Sequence, residues 1–162
     1  MIKELIVFGN AWTHGVESSI SYSEILAENF NLKLVDESRP NESLKSIYEH
    51  LKDWIENNDF KNSLILVGLP AEESEEEYKD IVNKIDELAT KYNVKIIQYN
   101  VLSRNYRVKL PTLIDSSSAL EMLVIRNKPR KNPLFTEHKF PNEKGHQIIA
   151  EFLKEKVKSV II

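Results

Sequence analysis

The chain reads as an α/β protein of three layers, a parallel sheet held between two layers of helices. Three observations predict this. Short, wholly apolar runs such as Leu5-Ile6-Val7-Phe8 and Leu64-Ile65-Leu66-Val67 have strand length and no polar face, as strands covered on both sides require. Between them lie longer segments whose apolar residues recur every three to four positions, the spacing of one helix face. The two kinds alternate, and β-α-β alternation builds a parallel sheet with helices on both faces. With 162 residues the chain is expected to form one domain, 1–162, long enough to bury a core.

Each element has its own signal. Leu5 to Phe8 is the first strand, followed by a polar stretch, Gly9 to Ile20, expected to be loop. Ser21 with Glu24 three residues on is a capping box, opening a helix through Ile25, Leu26 and Phe30. Leu32 to Val35 is a second strand. Asn41 is placed to cap the next helix, whose apolar stripe is Leu44, Ile47, Tyr48, Leu51, Trp54 and Ile55. Ser63 to Gly68 is the third strand. Ser74 and Glu77 form another capping box, before a helix that turns Tyr78, Ile81, Val82, Ile85, Leu88, Ala89 and Tyr92 inward. Val94 to Tyr99 is the fourth strand and Thr112 to Ile114 a short fifth. Ser118 and Glu121 are placed to cap a helix through Leu120 and Val124. Asn142 caps the last helix, with Ile148, Ile149, Phe152, Leu153 and Val157 on one face. Asn127 to Phe140, with Pro129 and Pro133, is the one long irregular stretch, a length often tied to function.

Composition excludes several classes. With 41% hydrophobic and 29% charged residues the chain has too much apolar content for disorder, and no apolar run nears the roughly 20 residues of a membrane span. The absence of cysteine excludes disulfides and thiolate metal sites. Met1-Ile2-Lys3 runs directly into the first strand, so no secretion signal is expected, and a cytoplasmic or virion-associated location follows as the expectation. Four histidines without a metal-ligand spacing predict no metal, and no glycine-rich phosphate loop is present, so no cofactor is expected. The acidic run Glu72 to Glu77 precedes a helix, where negative charge favours the dipole end. Basic charge gathers in Arg104, Arg107, Lys109, Arg126, Lys128, Arg130 and Lys131. That set is a candidate contact for an anion or an acidic partner. Tyr106 is the only aromatic among them, which disfavours nucleic acid as the partner.

Two motifs carry more. The first strand leads into Gly9-Asn10-Ala11-Trp12-Thr13-His14-Gly15, and the last helix is entered through Glu137-His138-Lys139-Phe140-Pro141-Asn142-Glu143-Lys144-Gly145-His146. Over nearly its whole length the chain resembles the SGNH, or GDSL-type, hydrolases. Members of that family carry Gly-Asp-Ser after the first strand, and end with Asp-x-x-His followed by Pro-Asn-x-x-Gly-His. The resemblance implies a flavodoxin-like sheet with a cleft at the carboxyl ends of its strands. It also assigns positions. The serine nucleophile falls on Ala11, which has no oxygen to attack a carbonyl. The acid before it falls on Asn10. The glycine whose N–H helps bind the oxyanion falls on Asn41, and the asparagine donor falls near Pro70 or Ala71. The histidine base falls on Phe140 and its orienting acid on Glu137.

Nucleophile, base and one oxyanion donor are therefore absent together, and the resemblance implies a hydrolase scaffold without its chemistry. The cleft is expected to be lined by Asn10, Ala11, Trp12, Thr13, Asn41 and Phe140, with the Phe140 ring filling it. A rescue through Thr13 and His138 requires a shift of about 6–7 Å for two extended residues, beyond the roughly 3 Å reach of a general base. His146 is expected to be a structural histidine satisfied by a nearby loop, and His50 to be solvated on a charged helix face. The leading expectation is a catalytically inactive domain with a binding, structural or assembly role among other proteins. Compact versions of the fold resemble those carried by bacteriophages, which by analogy implies a virion or accessory protein. The alternatives are a weak or rearranged esterase or carbohydrate deacetylase, and an adaptor for an acidic partner through the basic residues.

Overall fold

Among the described residues, five parallel strands lie side by side in the order β2-β1-β3-β4-β5. They are β1 (Glu4–Phe8), β2 (Lys33–Asp36), β3 (Ser63–Leu69), β4 (Lys95–Asn100) and β5 (Leu113–Asp115). Among the described residues the helices are α1 (Ala11–His14), α2 (Tyr22–Asn29), α3 (Leu44–Asn57), α4 (Glu75–Tyr92) and α5 (Glu143–Ile161). The computed structural model describes residues 1–70, 75–100, 113–115, 134–136 and 140–162. Outside the described residues fall Ser74 of the second capping box, the expected helix through Leu120 and Val124, all seven basic candidates from Arg104 to Lys131, Ala71, Glu137 and His138.

Alternation along the strands sorts their side chains into two cores. Leu5, Val7, Leu64, Leu66, Ile97 and Tyr99 meet α2 and α5 through Tyr22, Leu26, Ile149, Leu153 and Val157. Ile6, Phe8, Ile65, Val67 and Ile96 meet α3 and α4 through Leu44, Ile47, Leu51, Tyr78, Val82 and Ile85. Each fully buried Leu or Ile contributes roughly 1.5–3 kcal/mol, so the two apolar faces of the sheet hold the layers together.

Several local expectations are corrected. The stretch after β1 is not all loop: it contains the single turn α1, capped by Asn10, whose Oδ1 accepts from Trp12 N at 3.2 Å, and closed by Gly15 at φ 81°. Asn41 does not cap α3. Ser43 does, exchanging bonds with Ser46. Two residues closer to the first apolar position, Ser43 meets the N–H groups that Asn41 cannot reach. Phe152 lies on the outer side of α5 and is 37% exposed, because its position is one step past the stripe of Ile149, Leu153 and Val157. The Ser21–Glu24 capping box forms with both halves in place, and Asn142 caps α5 by accepting from Gly145 N at 3.0 Å.

Candidate functional site

The strand order places β1 between β2 and β3, so the chain leaves β1 in one direction for β2 and later returns on its other side. Such a switch point opens a crevice beyond the carboxyl ends of the strands, where ligands bind in open α/β sheets. A cleft of about 590 Å³ lies there, within the usual range for a small-molecule site. Asn10, Ala11, Trp12 and Val16 line it from the segment after β1. Pro40, Asn41, Glu42 and Ser43 come from the segment after β2. Pro70 follows β3, and Phe140 precedes α5.

Five of the six expected cleft residues are thus brought together, and Pro70 joins them. Thr13 is not among them. It is fully buried, and its hydroxyl bonds the Tyr22 hydroxyl at 2.6 Å, which in turn bonds that of Tyr99 at 2.5 Å. Gly9 permits this inward turn: a Cβ there would stand 2.2 Å from Thr13 Oγ1. Burial raises both tyrosines above the ordinary phenol value, so they remain protonated hydroxyls in a dry chain beneath the cleft floor.

Phe140 is half-buried rather than folded into the cleft, which stays open beside it. Its backbone is fixed on both sides: Phe140 N donates to Thr136 Oγ1 at 3.2 Å, and its carbonyl accepts from Thr136 N at 2.7 Å. Thr136 Oγ1 donates to Glu17 Oε2 at 2.5 Å, tying this segment to the loop after α1. Trp12 packs on Phe135 with ring centroids 5.5 Å apart.

The terminal motif proves to be architectural. A Cβ on Gly145 would lie 2.5 Å from the Leu134 carbonyl oxygen, so only glycine allows that approach. His146 is buried and stacks on Tyr22 at 5.7 Å. Its Nδ1 accepts from Tyr22 N at 3.0 Å, satisfying the first N–H of α2 rather than a loop. The ring proton therefore sits on Nε2, which has no hydrogen-bond partner among the described residues. Burial pushes the His146 pKa down to about 4, against the opposing pull of the Glu24 carboxylate.

Glu42 was not singled out by sequence reasoning, and His50 was expected on a solvated face. Glu42 lines the cleft with its side chain only 6% exposed overall, and its Oε1 meets His50 Nδ1 at 3.1 Å. His50 is not solvated: its side chain is 11% exposed, its Nε2 meets Glu37 Oε2 at 3.2 Å, and its ring stands edge-on to Phe8 at 5.0 Å. Carboxylates only accept, so the protonated ring satisfies both contacts and the neutral ring one. The two carboxylates lie on opposite ring nitrogens, a geometry that cannot converge on one cation. Among the described residues no cluster of His, Asp and Glu is placed to hold a metal ion. The available signal was Glu42 itself, one residue beyond Asn41 in a loop already assigned to the cleft.

Comparison with solved structures decides the fold. The psychrotrophic esterase EstA from Pseudoalteromonas sp. superposes with a TM-score of 0.68 at 12% identity, over 98% of each chain. A protein from Desulfitobacterium hafniense DCB-2 assigned to the G-D-S-L lipolytic family gives 0.70 at 12% identity, over 94% of this chain and 98% of that one. One from Slackia heliotrinireducens assigned to the SGNH hydrolases gives 0.62 at 12% identity, over 97% and 100%. The fold is that of the SGNH hydrolases. No protein-family model and no curated protein matches the sequence. At such identities the likeness concerns the SGNH backbone, and the chemistry of this cleft rests on its own side chains.

Proposed function

We propose that this chain is a non-hydrolytic SGNH-like domain that uses its cleft to bind, in a structural or assembly role. The observation carrying this is an open cleft at the sheet's switch point whose walls present a methyl group, Ala11, and a phenyl ring, Phe140, where the resemblance puts an oxygen nucleophile and an imidazole base. The hydroxyls nearby are committed elsewhere: Thr13 is bonded inside the core, and Ser43 is spent on capping α3 with Ser46. Neither has an imidazole among its partners; Ser38, whose Oγ lies 3.3 Å from His14 Nδ1 and donates to Asp36 Oδ1, is outside the cleft lining, as is His14. Removing one member of a catalytic triad leaves roughly 10³–10⁴-fold catalysis over water, from binding and the oxyanion hole, and Pro70 offers no donor to such a hole. A bacteriophage virion or accessory role is the form of this reading drawn from fold analogy. It is tested by finding the chain in purified particles. The hydrolytic half is tested with short-chain acyl esters against a buffer blank. Turnover abolished by Thr13→Ala or His138→Ala would support a rearranged esterase instead.

A further inference from the structure

We propose that the cleft takes a small organic cation, an ammonium group on a compact apolar body, with Glu42 as its counter-charge. The inference rests on the binding reading above and names the class of ligand. Among the described residues lining the cleft, Glu42 is the one that carries charge, and no lysine or arginine stands with it. A carboxylate held 94% out of water in a cleft opposes anions and favours a cation that replaces its lost hydration. Both described side-chain contacts of Glu42, from His50 at 3.1 Å and Arg39 at 3.8 Å, fall on Oε1. Oε2 has no described partner. Arg39 is the competing cation, but its side chain is 64% exposed, outside the cleft lining, and such a loose surface pair is weakened by solvent.

The remaining walls fit the same ligand. Trp12 and Phe140 supply aromatic surface, which attracts ammonium groups through the ring quadrupole, and Ala11, Val16 and Pro70 suit an apolar body. Asn10 and Asn41 add amide groups able to orient it. The Asn10 oxygen accepts from Trp12 N and keeps a second lone pair able to accept from an ammonium.

The test uses three probes of similar shape, benzylammonium, benzyl alcohol and benzoate, titrated into the isotope-labelled full chain and followed by backbone amide and Trp indole NMR shifts. Benzylammonium is expected to shift Ala11, Trp12 and Glu42, and to bind about tenfold more tightly than the alcohol, as a charge-assisted hydrogen bond implies. Benzoate is expected to bind weakest. Glu42→Gln keeps the shape and should level the cation with the alcohol. Glu37→Gln, which removes a carboxylate from His50 without touching the cleft, should leave cation affinity intact and controls for disturbance of the His50 contacts. Equal binding of the alcohol or benzoate, no saturable cation binding at millimolar concentration, or unchanged cation affinity in Glu42→Gln each overturns the proposal. A cleft that neither hydrolyses esters nor holds the cation leaves the non-hydrolytic reading standing. One that does both removes that reading and keeps this one.

Discussion

His146 shows how one side chain of the terminal motif serves the architecture rather than the cleft. Its Nδ1 supplies the acceptor for the first N–H of α2, and its ring is shut away from water. Because burial lowers its pKa from 6.5 to about 4, the unfolded chain binds the proton first as pH falls. The resulting stabilisation is complete above about pH 6.5 and is lost progressively as pH drops toward 4, about 3 kcal/mol in all. Denaturant titrations of the parent and of His146→Gln across pH 4–7.5 are expected to differ in slope over that window. Parallel pH dependences would remove His146 from the account. The Phe140 ring carries a second expectation. Had it filled the cleft, Phe140→Ala would cost about 3–5 kcal/mol, as for a buried ring; half-buried beside an open cleft, it should cost nearer 1–2 kcal/mol in thermal melts. Ala11 and Phe140 were legible as positions because motif frames fix them. The inward turn of Thr13 and the Glu37–His50–Glu42 bridge were not, since each depends on partners fixed only once the chain has folded.

Among the elements, helix starts were easier to read than loops. The Ser21–Glu24 box and the Asn142 cap announce themselves by residue type and spacing. The start of α3 offered two rivals two residues apart, and Ser43 prevailed because Ser46 returns its bond. Ser43→Ala is therefore expected to lower stability by about 0.5–2 kcal/mol, while Asn41→Ala, exposed in the cleft, should change it little. Melts showing the reverse order would restore Asn41 as the cap. The helix ends were missed. Asn31 (φ 52°) and Asn93 (φ 50°) close α2 and α4 in the left-handed region that Asn tolerates, with Leu32 N and Val94 N bonding back to the Ala27 and Ala89 carbonyls. The signal was available as Asn directly before each following strand. The single turn α1 had no such signal, because four residues are too few for a helical period.

For the whole molecule, alternating apolar runs and amphipathic segments determine a parallel sheet, and the order β2-β1-β3-β4-β5 determines where its cleft must open. The motif frames then land on that cleft: Asn10 and Ala11 after β1, Asn41 after β2, Pro70 after β3, Phe140 before α5. The charge that Glu42 brings to the described cleft lining went unread beside Asn41, because the path of the segment after β2 is what brings it there. The central claim is that this scaffold binds without hydrolysing. Its most direct test is the rate of short-chain aryl ester hydrolysis by the parent and by the double variant Ala11→Ser with Phe140→His. The account predicts no turnover above the blank for the parent and no useful catalysis for the double variant, because Pro70 still leaves the oxyanion without its side-chain donor. Parent turnover that scales with protein concentration and survives both Thr13→Ala and His138→Ala would contradict it, and would place a working catalytic site elsewhere in the chain.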